Sequence, residues 1–367
     1  MQKKFDEIFE DVTKLGTKIK TDEYHKSGRH QIIDQGQESV AGYTDLEDGL
    51  FEDVPAIIFG DHTRIIKYVD QPFFLGADGV KVLRSCVEDA NYRYLYYALK
   101  NVKIPNTGYN RHFKWLKTAQ IKWPNAETQS EIVTALDGVS RIVEYRQQQL
   151  QKLDELVKAR FVEMFGDPVS NPLGWEIVPL GKRCKIVIGN TPSRAEPENY
   201  GEFIEWIKSD NINTPFTFVT KAQEYLSETG FKKCRFVEAG SLLMTCIAGS
   251  INCIGNVAVT DRRVAFNQQI NAIVPEQDEV LYLYWLMLLS KPAIHSTINM
   301  ALKGILSKGQ LAELLFPFPP IKLQEQFVTF VEQVDKSKVV ESIYKTNILF
   351  NIALNGGDRY DSETNEF

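Results

Sequence analysis

The sequence predicts a mixed α/β (α+β) protein with two domains of similar design, each followed by a long helix. Two observations carry this prediction. The chain repeats one plan at about half its length, and a long helical pattern follows the same proline-containing motif in each copy. At 367 residues the chain is too long for one ordinary core, so two or three domains are expected.

The repeat is clearest between residues 116–139 and 311–334, which align at a constant offset of 195 residues. Pro124 then matches Pro319, and Gln129 matches Gln324. Farther upstream, YRYLYYAL at 92–99 resembles VLYLYWLM at 280–287. This period is much longer than the roughly 20–50 residues of a solenoid unit, so it indicates a tandem domain duplication.

Each copy ends in a predicted helix. No proline occurs from residue 125 to 167, and Gly166-Asp167-Pro168 then stops the pattern. About 40 residues would form a helix of roughly 60 Å. Its apolar positions step by four and three, as in a heptad seam, with Arg146 and Arg160 in the two skipped places. The seam residues are Ile132, Leu136, Val139, Val143, Leu150, Leu153, Val157 and Met164.

The second helix is predicted from about Leu323 to Asn355, with a seam interrupted by Lys338 and Glu341. An ordinary core helix is the alternative for both stripes. Forty residues exceed what one compact domain can bury, which favours packing of the two helices on each other. The predicted division is therefore residues 1–122 and 169–318 as domains, 123–168 and 319–357 as helical regions, and 358–367 as a flexible tail.

The composition limits the class of protein. The five cysteines are scattered, odd in number and without a CxxC pair, which argues against disulfides and structural zinc and favours a reducing cytoplasm. No apolar run of about 18 residues is present, so no membrane span is expected. A net charge of −6 disfavours nucleic-acid binding through bulk electrostatics, although one face can still be basic.

The unusual polar residues fall in the predicted loops between short strands, and these loops differ between the copies. Arg, Lys, Asn and Gln are the side chains that read base edges by paired donors and acceptors. The alternative is that these are ordinary solvated loops. The candidates for DNA contact in the first copy are His25, Lys26, Ser27, Gly28, Arg29, Gln35, His62, Thr63, Arg64, Asn110, Arg111 and His112; in the second they are Thr191, Ser193, Arg194, Lys208, Asp210, Ser250, Asn267, Gln268, Gln269, Ser307 and Lys308.

The sequence carries none of the common catalytic motifs. It contains no HExxH, no GxxxxGK[ST], no GxSxG and no (N/D)PP(Y/F) tetrapeptide of amino-methyltransferases. The loop GSINCIG around Ser250 and Cys253 comes nearest to a nucleophile loop, and a structural turn is the favoured interpretation. We expect no catalytic site, no metal site and no cofactor in this chain.

Taken together, these features make the chain resemble the specificity subunit of type I restriction-modification systems along nearly its full length. The resemblance rests on GRHQIIDQGQESVAGYTD at 28–45, FGDHTR at 59–64, WEIVPLGKRCKIVIGNTPSR at 175–194, FNQQINAIVP at 266–275, FPPIKLQEQFV at 318–328 and its weaker partner WPNAETQSEIV at 123–133. One departure is that the first copy lacks the tryptophan-containing opening that Trp175 provides in the second.

The resemblance implies two target recognition domains of mixed α/β fold, separated by two long helices that form an antiparallel coiled coil. Each domain would read half of a bipartite, asymmetric site in double-stranded DNA. Two methylation subunits carrying S-adenosylmethionine would dock on the helices, and restriction subunits would supply ATP- and Mg-dependent cleavage. The chain itself would not be catalytic.

Two other hypotheses remain open at this point. A stand-alone sequence-specific DNA-binding or adaptor protein would use the same loops without those partner subunits. An enzyme with Cys246 or Ser250 as its nucleophile would need a base that the sequence does not reveal.

Overall fold

The computed structural model describes residues 1–76, 78–108, 110–298 and 304–342. The chain divides into two compact units, and the boundary between them falls within one long helix, between Tyr145 and Arg146. We call the described parts unit 1 (residues 1–145) and unit 2 (residues 146–342) and describe each separately.

Unit 1 contains a four-stranded sheet in the order β2-β8-β5-β6, a three-stranded sheet β4-β3-β7 and a strand pair β1-β9. All pairs are antiparallel except β3 and β7, which are parallel. Its strands are β1 (Gln2–Lys4), β2 (Phe9–Asp11), β3 (His30–Ile33), β4 (Gly42–Thr44), β5 (Ala56–Gly60), β6 (Ile66–Val69), β7 (Phe73–Leu75), β8 (Val80–Ser85) and β9 (Gln120–Lys122).

Unit 2 repeats this plan with a four-stranded sheet β11-β18-β15-β16, a second sheet β13-β12-β17-β14 and a strand pair β10-β19. The parallel pair is again the same, β12 with β17. Its strands are β10 (Ile177–Pro179), β11 (Cys184–Ile188), β12 (Tyr200–Ile207), β13 (Tyr225–Leu226), β14 (Phe236–Val237), β15 (Leu242–Thr245), β16 (Val257–Val259), β17 (Val264–Phe266), β18 (Ile270–Pro275) and β19 (Leu315–Pro317).

The predicted duplication is therefore confirmed at the level of strand order and pairing. The strand pair β1-β9 forms in unit 1 although the tryptophan at the opening of unit 2 has no counterpart there. Unit 2 has a short helix followed by β14, which pairs antiparallel with β17; at the corresponding place unit 1 has a single antiparallel bridge between Phe51 and Phe73 of β7.

Both units also share the order of their helices. In unit 1, α1 (Tyr92–Lys100) and α2 (Phe113–Leu116) precede β9, and α3 (Ala126–Phe165) begins just after it. In unit 2, α4 (Glu228–Lys233) precedes β14; α5 (Val280–Ser296) and α6 (Lys308–Glu313) precede β19, and α7 (Ile321–Ser342) follows. Among the described helices, none combines the length and apolarity that a membrane span requires.

A tyrosine in α1, and its equivalent in α5, anchors the strand that precedes the long helix of each copy. The Tyr94 hydroxyl donates to the carbonyl of Lys122 at 2.6 Å, and the Tyr282 hydroxyl donates to that of Pro317 at 2.7 Å. Both side chains are buried, and a buried hydroxyl is costly to leave without a partner. The resemblance between YRYLYYAL and VLYLYWLM therefore marks one repeated contact.

The repeated glutamine has the same role in each copy. The Gln129 amide donates to the carbonyl of Pro124 at 3.0 Å, and the Gln324 amide donates to that of Pro319 at 2.9 Å. Each bond satisfies a carbonyl at the start of a long helix. In unit 2 the Gln324 amide also donates to the fully buried carboxylate of Asp278 at 2.8 Å.

Helix α3 covers the predicted residues, and its predicted seam is its less exposed side. From residue 143 to 153, Val143, Leu150 and Leu153 are half-buried, whereas the other side chains are exposed. The helix ends at Gly166, whose φ of +78° breaks the helical backbone. The indole of Trp175 then donates to the free carbonyl of Phe165 at 2.9 Å. The predicted residues 343–355 of the second helix lie outside the described residues.

Aromatic side chains join the last turns of α3 to the first turns of α7 within unit 2. The ring centroids of Phe161 and Phe165 lie 5.4 and 5.5 Å from that of Phe327. Tyr282 stacks on Phe161 at 5.5 Å. The end of one helix thus meets the beginning of the other, as an antiparallel pair requires. The heptad seam did not predict Phe161 and Phe165, because their spacing of four residues drifts away from it.

Candidate nucleic-acid interface

Four loops of unit 1 converge at one end of its sheets. We call residues 34–37, 61–64, 78–79 and 110–112 the first loop cluster. The side chain of Gln35 links three of them: its amide donates to the carbonyl of Asp78 at 2.9 Å, and its carbonyl accepts from the His62 backbone at 3.1 Å. The Thr63 hydroxyl donates to the Gln35 backbone carbonyl at 2.6 Å. Gly79 adopts φ +93° beside this side chain, where a Cβ would collide with the Gln35 amide.

The fourth loop is attached through the buried Asp61. Its carboxylate accepts from the Phe113 backbone at 2.8 Å, and its carbonyl accepts from the His112 backbone at 2.8 Å. The ring of His112 lies against the same carbonyl, is fully buried and packs on Trp115 at 5.3 Å. His112 therefore supports the loop from within.

Exposed charge surrounds this cluster. Lys18 pairs with Asp78 at 2.7 Å, and this hydrogen bond holds the pKa of the Asp78 carboxyl below its ordinary value. Arg111 is exposed and close enough to contribute weakly to that shift. Arg64 adopts φ +64° in the turn between β5 and β6, and its guanidinium reaches the carbonyl of Ile104 at 3.5 Å. The Asn110 side chain folds back onto Thr107 of its own loop.

The candidates at residues 25–29 lie elsewhere in unit 1. They precede β3, whereas Gln35 follows it, so the length of that strand, about 13 Å, separates them. His25 pairs through its backbone with Tyr43, and the Arg29 guanidinium binds Glu47 and the carbonyl of Asp45. His25, Lys26, Ser27 and Arg29 are all exposed.

In unit 2 the corresponding loops are joined mainly through the backbone. We call residues 190–194, 208–210, 246–250, 267–269 and 305–308 the second loop cluster. Asn267 donates to the carbonyl of Ile207 at 3.0 Å, Cys246 donates to that of Gln269 at 2.8 Å, and Leu306 donates to that of Cys246 at 2.9 Å. The Thr191 hydroxyl donates to the side chain of Gln268.

Arg194 and Lys208 form an ionic network over two aromatic rings. The guanidinium carbon of Arg194 lies 4.5 Å from the ring of Tyr200 and 5.2 Å from that of Trp206. Glu224 accepts from Lys208 at 2.5 Å and from Arg194 at 2.7 Å. These two hydrogen bonds, that of Lys208 first, hold the pKa of Glu224 below its ordinary value. A guanidinium fixed in this way is preorganised for bidentate contacts.

Three other candidates in this cluster lie at the starts of short helices. Ser250 begins the helical turn Ile251–Cys253, and Ser307 caps α6 through a reciprocal contact with Gln310. Lys308 is the exposed first residue of α6. Asp210 and Ser193 are exposed, and the Ser193 carbonyl accepts from Asn199 at 3.1 Å.

The structure corrects the expected surface at two positions, His112 and Asn267. His112 is fully buried, as described above. Asn267 is only 6% exposed, and its side chain both donates to and accepts from Gln269. Neither side chain reaches the surface, because each closes a turn that would otherwise leave buried polar groups without partners.

Sequence reasoning missed the residues that hold the candidates in place: Asp61, Tyr200, Trp206 and Glu224. Tyr200 and Trp206 lie on β12 with ring centroids 6.0 Å apart, but the register of the strand shifts between Tyr200 and Ile204. Their spacing in the sequence was therefore no reliable signal, because the regular two-residue period is interrupted between them. Glu224 gave no signal either. It directly precedes β13, and the pairing of β13 with β12 is a long-range contact that local sequence does not reveal.

The nucleophile hypothesis finds no support in the geometry. Cys246 is only 2% exposed, and burial raises the pKa of its thiol to about 12, which disfavours the reactive thiolate. Ser250 accepts from the Asn252 backbone at 3.3 Å, as a cap does. Among the described residues, no group of three or more His, Cys, Asp or Glu side chains could hold a metal ion.

Known proteins match the chain in sequence and in fold. The family model for the type I restriction modification DNA specificity domain matches residues 1–155 and again 172–345. The EcoR124I/EcoR124II specificity subunit of Escherichia coli is 23% identical over 343 residues, which is 86% of this chain and 82% of that protein. The HindI specificity subunit of Haemophilus influenzae is 33% identical over 117 residues, covering 30% of this chain and 24% of that protein.

A solved structure shows the same fold at low identity. The S subunit of a type I restriction-modification system from M. genitalium aligns with a TM-score of 0.56 and 15% identity, covering 97% of this chain and 94% of that one. Two family matches that together span most of the sequence coincide with the duplicated strand order. The chain belongs to the type I restriction-modification specificity subunits.

Proposed function

We propose that the chain reads a bipartite, asymmetric site in double-stranded DNA, one half-site with each loop cluster, and leaves the spacer between them unread. The observation that carries this proposal is the pairing of one repeated scaffold with two different loop clusters. Strand order, parallel pair and anchoring hydrogen bonds are the same in both units. The exposed side chains at the end of the sheets differ.

The proposed contacts follow from exposure and chemistry. Side chains that read bases must reach the surface and present donors or acceptors in a fixed geometry. In unit 1 the favoured residues are Gln35, Thr63, Arg64 and Arg111. In unit 2 they are Thr191, Arg194, Lys208, Gln268 and Lys308.

The partners are part of the same proposal. Two methylation subunits would bind along the long helices and carry S-adenosylmethionine to adenine N6. Restriction subunits would supply ATP- and Mg-dependent cleavage, and the complex would act in the cytoplasm. This chain would provide recognition and assembly without cofactor of its own.

The test is an exchange of the second domain. The chain is expressed with its partner subunits, and the methylated motif is read by sequencing the host DNA. Residues 172–316 are then replaced by the equivalent segment of a relative. We expect one half-site to change completely and the other to stay. A change in both halves, or in neither, would contradict independent reading by the two units.

Co-purification separates this function from the stand-alone DNA-binding alternative. A chain that recovers a methylation subunit from co-expressing cells acts as a specificity subunit. A chain that binds its motif alone and recovers no such subunit acts as an adaptor. Methyl transfer by the pure chain would refute the non-catalytic role.

A further inference from the structure

A cleft of about 610 Å³ opens in unit 1 between β6 and α1, beside the first loop cluster. Four cationic side chains line it, those of Arg64, Lys67, Arg93 and Lys100, and no carboxylate is among its lining residues. In a chain with a net charge of −6, such a wall is a local concentration of positive charge. It points to an anionic ligand.

Two of these cations are ion-paired with acids that do not line the cleft. Lys67 lies 3.4 Å from Asp34, and the guanidinium of Arg93 binds Asp137. Both carboxylates lie on other elements, the loop after β3 and helix α3. Lys67 and Arg93 are therefore held in position before any ligand arrives, which reduces the entropy lost on binding.

Aromatic rings order the cations further. The guanidinium carbon of Arg93 lies 4.7 Å from the ring of Tyr68, and the ammonium of Lys100 lies 5.0 Å from the ring of Tyr96. Because these ring faces already contact cations, the cleft offers hydrogen-bond donors rather than a stacking surface. This favours a phosphate group over a base as the ligand.

Unit 2 has no equivalent of this wall. When α5 is aligned to α1 through their shared tyrosine pattern, Leu281 takes the place of Arg93 and Leu288 that of Lys100. Lys291, farther along α5, instead donates to the carbonyl of Asn252 at 2.7 Å. The cationic cleft is therefore a property of unit 1 and does not follow from the shared scaffold.

We propose that this cleft binds a backbone phosphate of the DNA that the first loop cluster reads, and so strengthens binding without regard to base sequence. The inference rests on the proposed function. Its link to DNA is continuity, since Thr63 and Arg64 belong both to the loop cluster and to the cleft. Phosphate contacts of this kind position a protein on the duplex and carry no sequence information.

The test compares Lys100→Gln and Arg64→Gln with Lys4→Gln. Lys4 is an exposed lysine on β1 that belongs neither to the loop cluster nor to the cleft lining, so it is the matched control. Affinity of the complex with methylation subunits is measured against salt concentration, on a duplex bearing its motif. Each cleft variant should lower the slope of log affinity against log salt by about 0.9, the value for one phosphate. The methylated motif in Lys100→Gln and the salt slope in Lys4→Gln should stay unchanged.

Neutral methylphosphonates placed one at a time along the duplex give the position of the contact. At one phosphate, the effect of Lys100→Gln should disappear, because the charge it meets is already gone. An unchanged slope in both cleft variants, or a changed motif in Lys100→Gln, would overturn the inference.

Two further measurements separate the possible failures. Selective binding of the wild-type complex to the motif over a scrambled duplex tests the proposed function alone. ATP or inorganic phosphate that binds the DNA-free complex and is lost in Lys100→Gln, with an unchanged DNA slope, would assign the cleft to a free phosphate compound and overturn the DNA assignment.

Discussion

Unit 1 and unit 2 share their scaffold but stabilise their loop clusters in different ways. In unit 1 a neutral amide, that of Gln35, connects three loops by hydrogen bonds. In unit 2 a carboxylate, that of Glu224, binds two cations above aromatic rings. The tyrosine and glutamine contacts at the start of each long helix are the same in both.

This difference shows which contacts tolerate change. The anchoring bonds satisfy backbone carbonyls that the fold itself creates, so any copy of the fold needs them. The hydrogen bonds within each loop cluster join loop residues to one another, so a whole set of these residues can be replaced together. A rigid scaffold with replaceable loops is how recognition residues are commonly carried.

The largest effect should come from changing the helix that both units share. Insertion of seven residues after Leu150 preserves the seam, since one heptad restores the register. It adds at most about 10 Å, and base pairs stack every 3.4 Å. We expect methylation to move to a site with a spacer longer by about one or two base pairs and both half-sites unchanged. Host DNA sequencing reads the motif.

An insertion of two residues at the same place is the control, because it rotates the following seam residues by about 200° and so turns them away from their partners. We expect that variant to lose methylation. A seven-residue variant that stays active on the original spacing would show that the helices do not set the distance.

The second comparison concerns the repeated glutamine. Gln324→Leu removes two donated bonds and one accepted from Glu279, and leaves the buried Asp278 with fewer partners. We expect a loss of about 3 kcal/mol in local stability, against about 1 kcal/mol for Gln129→Leu, which loses one bond. Hydrogen exchange of the β19 and β9 amides measures each. Equal losses would contradict the greater role of the contact in unit 2.

A third variant tests whether the loop clusters are independent. Arg194→Ala should reduce discrimination at the half-site of unit 2 by about 1–3 kcal/mol, as expected for a bidentate base contact. Arg194→Lys should not restore it, since lysine lacks the planar donor pair. Competition binding with substitutions in either half-site provides the measurement, with the exposed strand residue Lys185 changed to Ala as control. An equal loss on all sequences would indicate a phosphate contact instead.

The smallest effect should come from Glu224, the carboxylate that connects loop residues in unit 2, where unit 1 uses the neutral amide of Gln35. Glu224→Gln frees Arg194 and Lys208 from their shared partner, so non-specific DNA affinity should rise a few-fold, while Glu228→Gln, an exposed control, should not change it. Because the pKa of Glu224 is lowered, its pairing is present above the ordinary value of 4.5 and is lost only as the pH falls below it. Wild-type binding should therefore show no step from this group between pH 5.5 and 8. A fall in non-specific affinity in Glu224→Gln would contradict this account.

The sequence by itself determined the duplication and the helix that ends at Gly166. These follow from local signals: heptad spacing, a repeated Pro and Gln, and the glycine and proline that stop the helix. The domain boundaries and the individual DNA contacts stay predictions. What only the tertiary structure decided is which loop residues meet. His112 and Asn267 resemble their exposed neighbours in sequence but are buried. The ring of His112 lies against the carbonyl of Asp61, 51 residues away in the chain, and the side chain of Asn267 closes a turn with Gln269. Arg194 reaches Glu224 across 30 residues through a pairing of β12 with β13 that no local pattern encodes. Long-range strand pairing sets such contacts, and no local sequence pattern reveals that pairing.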